Sequence, residues 1–254
     1  MNDKSISQAQ RPTLLLPDWP APPSVCAFVT TRETGPSEGA FAAFNTATHV
    51  DDDPESIARC RALLRAELTD GRPLLWLDQV HGAGVQQNYS DGITRADAAV
   101  AFDQRYACVI QTADCLPVFF CDRAGSRVGL AHAGWRSLAG GVLEASVAAL
   151  NVAPEELLVW LGPAISNAQF EVGPEVYGAF TAIQPEAETA FEPSPYRLGH
   201  YMADIYRLAR LRLERLGIQH ISGGHFCTAC EPRFYSHRRD DGVTGRMASV
   251  IWLR

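Results

Sequence analysis

The sequence predicts a mixed α/β (α+β) fold in a single domain, and three observations predict it. Short apolar, often β-branched runs bounded by glycine, proline, asparagine or aspartate recur along the chain, as strands do. Among them lie a few stretches with helical periodicity and recognisable ends. No linker, internal repeat or low-complexity block divides the chain. With 254 residues it can bury a sizeable core. Residues 1–12 read as a tail and 13–254 as one domain.

In chain order, prolines at 17, 20, 22 and 23 keep the apolar stretch 14–19 out of a helix. Residues 25–31 alternate loosely and are β-branched, which predicts a strand, followed by a loop carrying Gly35, Pro36 and Gly39. Asp51-Asp52-Asp53-Pro54-Glu55 starts a helix: Asp53 can cap it, Pro54 suits its first position, and the acids suit its positive end. Capping explains these aspartates without a metal. Ile57, Leu63, Leu64 and Leu68 form that helix's apolar stripe, and Gly71 with Pro73 closes it. Short strands are expected over 74–80, 98–102, 107–111, 117–121 and 127–131, with 122–125 as a hairpin turn. Leu138, Val142, Ala145 and Ala149 recur at helical spacing, with Gly140-Gly141 weakening that helix locally. A strand over 157–161, a short helix over 174–180, an exposed excursion over 184–200, an amphipathic helix over 203–216 and a last strand over 248–253 complete the chain.

A net charge of −7 and a pI near 5.5 argue against general nucleic-acid affinity, which needs a basic face, while leaving room for a local anion pocket. No apolar run reaches the roughly 18 residues of a membrane span. Residues 1–11 are polar and lack the apolar core of a signal peptide. Seven cysteines, odd in number and scattered, do not form a disulfide framework. The expected compartment is the cytoplasm.

The residues that could carry chemistry concentrate in 112–136. Cys115 and His132 sit at the edges of the predicted hairpin, and His81 ends another apolar run. A catalytic zinc is typically held by three protein ligands with a fourth position open, and these three could converge on one ion. Their spacing matches no compact zinc motif. The same residues also suit a metal-free cysteine hydrolase or amidase, with Cys115 activated by His132 or His81 and Asp114 orienting a histidine. Both readings stand at this point. Arg238, beside Arg239, is a candidate anion clamp, with Arg246 adding a cation nearby. Arg136 falls at a helix start, where anions are favoured. Arg32 and Asn45 flank the loop after the first strand. Cys227-Thr228-Ala229-Cys230 has no second CxxC and reads as structural or incidental. Cys26, Cys60, Cys108 and Cys121 read as packing residues.

Five strings together resemble one family. They are Asp-Gln-Val-His-Gly, Thr-Ala-Asp-Cys-Leu-Pro-Val, Ala-His-Ala-Gly-Trp-Arg, Leu-Gly-Pro-Ala-Ile with Phe170-Glu171-Val172, and Thr-Gly-Arg-Met-Ala-Ser. The family is that of the bacterial YfiH-type proteins, also labelled polyphenol oxidase or laccase-domain proteins. The resemblance implies a layered sandwich of mixed β-sheets flanked by helices, distantly like cysteine-hydrolase toxins. It implies purine nucleoside phosphorylase activity on adenosine, inosine, guanosine and methylthioadenosine, with adenosine deaminase activity beside it. It also implies zinc held by His81, Cys115 and His132. Beside this trio as the catalytic centre, Asp114 is our own candidate for handling a proton or orienting a ligand. The resemblance further implies a place for Trp135 and Arg136 beside the substrate. Arg32, Asn45 and Arg238 join these as expected substrate or phosphate contacts. The expected partners are nucleosides and phosphate, with no nucleic acid or membrane, for a monomer or weak homodimer.

Copper remains possible at the same site, since affinity for copper normally exceeds that for zinc. A copper-binding polyphenol oxidase is the further alternative, but the seven histidines contain no His-x-His pair of the kind multicopper oxidases use. The His-x-Glu and Pro-Cys-x-x-Cys signature of nucleobase deaminases is also absent, so any deamination uses another constellation. The chain departs from the family's usual pattern at Arg32-Glu33-Thr34-Gly35, at Phe44-Asn45-Thr46 and around His237-Arg238-Arg239, all outside the metal trio.

Overall fold

The computed structural model describes residues 11–90 and 92–254, and within residues 67 and 68 the backbone only. Most of the expected tail, residues 1–10, and the Leu68 side chain thus lie outside what is described. Two mixed sheets dominate. The first orders the strands Leu14–Leu15, Val25–Thr30, Met247–Leu253, Ala107–Thr112 and Leu74–Leu75. The second orders His220–Gly223, Leu157–Leu161, Leu116–Asp122, Val128–Ala133, Ala98–Ala101 and Val85–Gln86.

Strand periodicity explains how they stack. Successive side chains point to opposite faces, and in Leu116–Asp122 both faces are buried. Phe119 and Cys121 join a core with Ile110, Met247 and Ile251 of the first sheet, so the two sheets pack face to face. Val118 and Phe120 join a second core with Leu143 and Val147 of the helix Val142–Leu150 and with Leu208 and Leu211 of the helix Ile205–Arg215. On the far side, Phe28, Val109 and Val250 of the first sheet pack on Cys60 and Leu63 of the helix Pro54–Leu63. The result is a helix–sheet–sheet–helix stack, and burial on both faces is why the central strands read as continuous apolar runs.

Most elements form where the sequence places them. Asp53 caps its helix, accepting from the Ser56 N–H at 2.9 Å. The 122–125 turn forms with Gly125 at φ 65°, and Asp122 accepts from the Ser126 and Arg127 N–H groups at 2.7 and 2.9 Å. Three expectations are corrected. Residues 74–80 are not one strand: Leu74–Leu75 pairs in the first sheet, and Leu77–Asp78 turns away to pair with Thr94–Arg95. Gly140-Gly141 divides the expected helix into Trp135–Ala139 and Val142–Leu150, because Gly141 adopts φ 92°, outside the helical region. Residues 184–200 are partly built into the core, with Ala187, Ala190 and Phe191 buried and the strand Phe191–Pro193 paired to Tyr201–Ala203. Among the described residues, no helix is long and apolar enough to cross a membrane.

Candidate metal centre

Antiparallel pairing of Leu116–Asp122 with Val128–Ala133 sets Leu116 opposite Ala133 and Pro117 opposite His132. Cys115 directly precedes the first of these strands, so two residues distant in sequence become cross-strand neighbours. The turn into the strand passes through Asp114 at φ 83°, a conformation that aspartate tolerates better than most residues. His81 arrives from elsewhere, on the loop after Leu77–Asp78, and is itself left-handed at φ 59°. Ligand atoms of His81, Cys115 and His132 all lie within 4.8 Å of one another. The two imidazoles meet edge to face, with centroids 4.8 Å apart.

The residue that assembles them is Asp97, whose carboxylate is fully buried. Its Oδ1 accepts from the His81 N–H at 2.9 Å and meets His132 Nδ1 at 2.8 Å. Its Oδ2 accepts from the Val80 and Gly82 N–H groups at 3.2 and 2.6 Å. One carboxylate thus wraps the His81 loop around itself and, by taking the Nδ1 proton of His132, leaves Nε2 free to act as a ligand. Desolvation pushes this carboxyl up, but hydrogen bonds from His132 and from the Gly82 and His81 N–H groups outweigh it and hold it below the usual carboxylate value. Gln79 ties the same loop to the first sheet, donating to the Gln111 carbonyl at 2.9 Å and accepting its N–H at 2.8 Å.

Gly134 completes the surround. A Cβ there would lie 2.9 Å from Cys115 Sγ, 3.2 Å from His81 Cδ2 and 3.5 Å from His132 Nε2. Its φ of −59° suits any residue, so glycine is needed for space rather than for conformation. Burial raises the Cys115 thiol, yet the two histidines overcome it and bring it down to about 6. Burial lowers His132, while Cys115 and Asp97 together raise it to about 9. The same contact thus lowers the thiol and raises the imidazole, and a bound cation would take the place of the proton between them.

The cluster opens into a cavity of about 940 Å³. Trp135, Arg136 and Arg238 line it, as do Asp114, Trp76, Phe170 and Arg246. Arg136 is exposed and stacks on Trp135 at 4.3 Å. Arg238 reaches over Phe170, donating to the Gln169 and Glu171 carbonyls at 3.1 Å each. Asp114 accepts from the Thr228 hydroxyl at 2.6 Å and the Arg238 N–H at 2.7 Å, tying the C-terminal segment to the turn that carries Cys115. Two expected contacts are not brought here. Arg32 pairs with Asp240 at 3.2 Å and lies over Tyr235, away from this cavity. Asn45 is buried, donating to Asp52 at 2.9 Å and accepting the Arg246 N–H at 3.0 Å; it acts behind the wall rather than on it.

The sequence reading missed Asp97 and Gly134. Asp97 carried one signal, a lone carboxylate at the head of the alanine-rich strand Ala98–Ala101, since buried aspartates are rare without partners. Gly134 carried none beyond its place next to Trp135.

Residues 26–254 match the family model described as multi-copper polyphenol oxidoreductase laccase. Among the described residues, however, His81, Cys115 and His132 form the one group of three such ligands, which suits a single ion rather than several coppers. Among curated proteins, the chain is 53% identical over 241 residues to purine nucleoside phosphorylase PA4543 of Pseudomonas aeruginosa, covering 94% of this chain and 98% of that one. It is 44% identical over 243 residues to purine nucleoside phosphorylase YfiH of Escherichia coli, with the same coverages. Among solved structures, Neisseria meningitidis protein NMB0706 superposes with a TM-score of 0.90 at 49% identity, covering 94% of this chain and 98% of the other. YlmD from Geobacillus stearothermophilus superposes with a TM-score of 0.89 at 31% identity, covering 98% of each chain. The shared architecture and the extent of these matches lead to one conclusion: the chain belongs to the YfiH-type family, several of whose members bear the name purine nucleoside phosphorylase.

Proposed function

We propose that this protein is a cytoplasmic, zinc-dependent purine nucleoside phosphorylase. It would convert adenosine, inosine, guanosine or methylthioadenosine and phosphate to the free base and the sugar 1-phosphate, with adenosine deamination as a side activity. The observation that carries this reading is that a His-Cys-His cluster opens into the same cavity as flat aromatic faces and arginines. The names of close relatives support its phosphorylase part.

The donor set fits the metal: two imidazoles and a thiolate, with a side open to the cavity, match a catalytic zinc site and also tolerate copper. Bound there, the metal would supply Lewis-acid polarisation and a more acidic water. The chain's own residues do the rest. Phosphorolysis breaks the bond from C1′ to the purine and forms one from C1′ to a phosphate oxygen. Arg136, Arg238 and Arg246 provide positive charge for the phosphate, in a guanidinium geometry that matches its oxygens. Trp135 and Phe170 offer faces for the base. We assign Asp114 to orientation, because both its oxygens already hold neighbouring segments.

A second reading has its own support, since Cys115, His132 and Asp97 stand in the order of a nucleophile, a base and its orienting carboxylate. One experiment separates the two. Inosine and adenosine are incubated with the purified protein, with and without phosphate, before and after chelation. The proposal expects sugar 1-phosphate only when phosphate is present, lost on chelation and restored by zinc. No base release from any purine nucleoside by protein that contains zinc would overturn it. Full turnover by metal-free protein would favour the cysteine nucleophile.

A further inference from the structure

The Cys227-Thr228-Ala229-Cys230 string, which reads from the sequence as structural or incidental, folds into a tight turn behind the site. The Cys230 and Glu231 N–H groups donate to the Cys227 carbonyl at 3.1 and 2.9 Å, and the two sulfurs are 3.0 Å apart. Both thiols are free; Cys230 is exposed and Cys227 half-buried. Cys227 lies beside Ser166 and Cys230 beside Gln169, on the segment that leads into Phe170 on the cavity wall. Thr228, between the cysteines, is held on three sides. Its N–H donates to the Ala164 carbonyl at 3.0 Å, its hydroxyl donates to Asp114 at 2.6 Å, and its carbonyl accepts from Arg239 at 3.1 Å. Asp114 is the residue before Cys115.

We propose that Cys227 and Cys230 form a redox-active dithiol whose closure to a disulfide weakens metal binding at the neighbouring site through Thr228 and Asp114. The oxidant is a small-molecule disulfide such as oxidised glutathione. The Cys227 thiolate attacks one of its sulfurs, forming a mixed disulfide and releasing one thiol. Cys230 then gives up its proton and attacks the Cys227 sulfur, forming the Cys227–Cys230 bond and expelling the second thiol. Two protein thiols are oxidised, one external disulfide is reduced, and the protons end on the two released thiols. The environment favours this order: burial raises the Cys227 thiol, but hydrogen bonds from Ser166 and Cys230 outweigh it and hold it below the ordinary thiol value, while Cys227 raises Cys230. Closure draws the sulfurs together by about 1 Å, towards a bond of about 2.05 Å. Thr228 lies inside that contraction and holds the carboxylate that positions the Cys115 turn.

The dithiol stands apart from the metal reading of the site, whereas its effect on the site rests on that reading, so the test reads them separately. Zinc-loaded protein is equilibrated in glutathione buffers of graded oxidised-to-reduced ratio, quenched by alkylation and mapped by mass spectrometry. A loss of two hydrogens confined to the peptide holding Cys227 and Cys230 is expected, replaced in the C230S variant by glutathione on Cys227. Both cysteines alkylating fully at every ratio, or the modification falling on Cys115 instead, would overturn the dithiol. Zinc affinity, from competition with a chromophoric chelator, should fall about tenfold on oxidation of the wild type, the scale of a misdirected ligand support. It should be the same in both buffers for C230S. Equal affinity of the oxidised and reduced wild type would overturn the coupling and leave the metal reading untouched.

Discussion

Replacing Asp97 with asparagine keeps the shape of the side chain and removes one acceptor. Each carboxylate oxygen serves two donors: His81 N–H and His132 Nδ1 on one, Val80 and Gly82 N–H on the other. Whichever way the amide is turned, its NH₂ faces two groups that were donating. Turned towards His132, it also favours the tautomer that places the proton on Nε2, removing that ligand from the cluster. One or two part-buried N–H donors then lose their acceptor, each at a cost of up to about 1–3 kcal/mol, and local relaxation should leave a net loss of about 2 kcal/mol of stability, within that range. Because the same carboxylate orients both histidines, zinc affinity should fall by about 10–100-fold, the range for lost outer-shell support. Urea unfolding and chelator competition on purified Asp97→Asn measure the two effects independently. An unchanged urea midpoint together with zinc affinity within a factor of about two, far short of that range, would refute the assignment of Asp97 as organiser of the site.

Further outcomes follow from the same geometry. Gly134→Ala, whose Cβ would sit 2.9 Å from Cys115 Sγ, should weaken zinc binding by about tenfold or more while its thermal midpoint stays near wild type; unaltered zinc affinity in calorimetry would contradict the crowding argument. Arg136→Ala should raise the KM for phosphate about tenfold, the loss of one charge-assisted hydrogen bond, with stability unchanged. Arg32→Ala should do the reverse, lowering stability by about 1–3 kcal/mol through its lost Asp240 and Ala42 partners and leaving KM alone; steady-state kinetics beside denaturant titration tells the two arginines apart. Asp122→Asn should cost about 1 kcal/mol near neutral pH, the difference between charged and neutral acceptors. Burial raises the Asp122 carboxyl, but donors from Ser126 and Arg127 bring it below its ordinary value. Its contribution is therefore present above the unfolded-state pKa and disappears as pH falls through the folded one. A gap between wild type and variant that persists in acid would contradict this.

Much of the fold was legible because local chemistry and tertiary structure agreed. The Asp53 cap, the Gly125 turn and the apolar runs of Ala107–Thr112, Leu157–Leu161 and Met247–Leu253 each satisfy a local rule and a packing need at once. Legibility failed where the two diverged. Residues 74–80 read as one strand, but Leu75 belongs to the layer between the sheets, and the chain then leaves the first sheet to deliver His81. Gly141 could be tolerated within a helix on propensity alone, and its left-handed φ is set by how the two short helices seat around it. Arg32 and Arg238 are the same kind of residue, each outside the regular elements; pairing with Asp240 holds one away from the cavity, and a place over Phe170 keeps the other at it.

What the amino-acid sequence determined by itself is local: where strands and helices begin and end, which residue types are available as soft ligands, and that Cys115 and His132 bracket one hairpin. These follow from periodicity, capping and turn chemistry acting over a few residues. The tertiary structure brings His81, expected from its motif, to within 4.8 Å of the other two, and it alone decided that Asp97 holds both histidine segments from beneath, that Gly134 must leave room, and that Thr228 braces Asp114. Those are contacts between segments far apart in the chain, and they form because two sheets buried on both faces bring strand ends and their loops to a common edge.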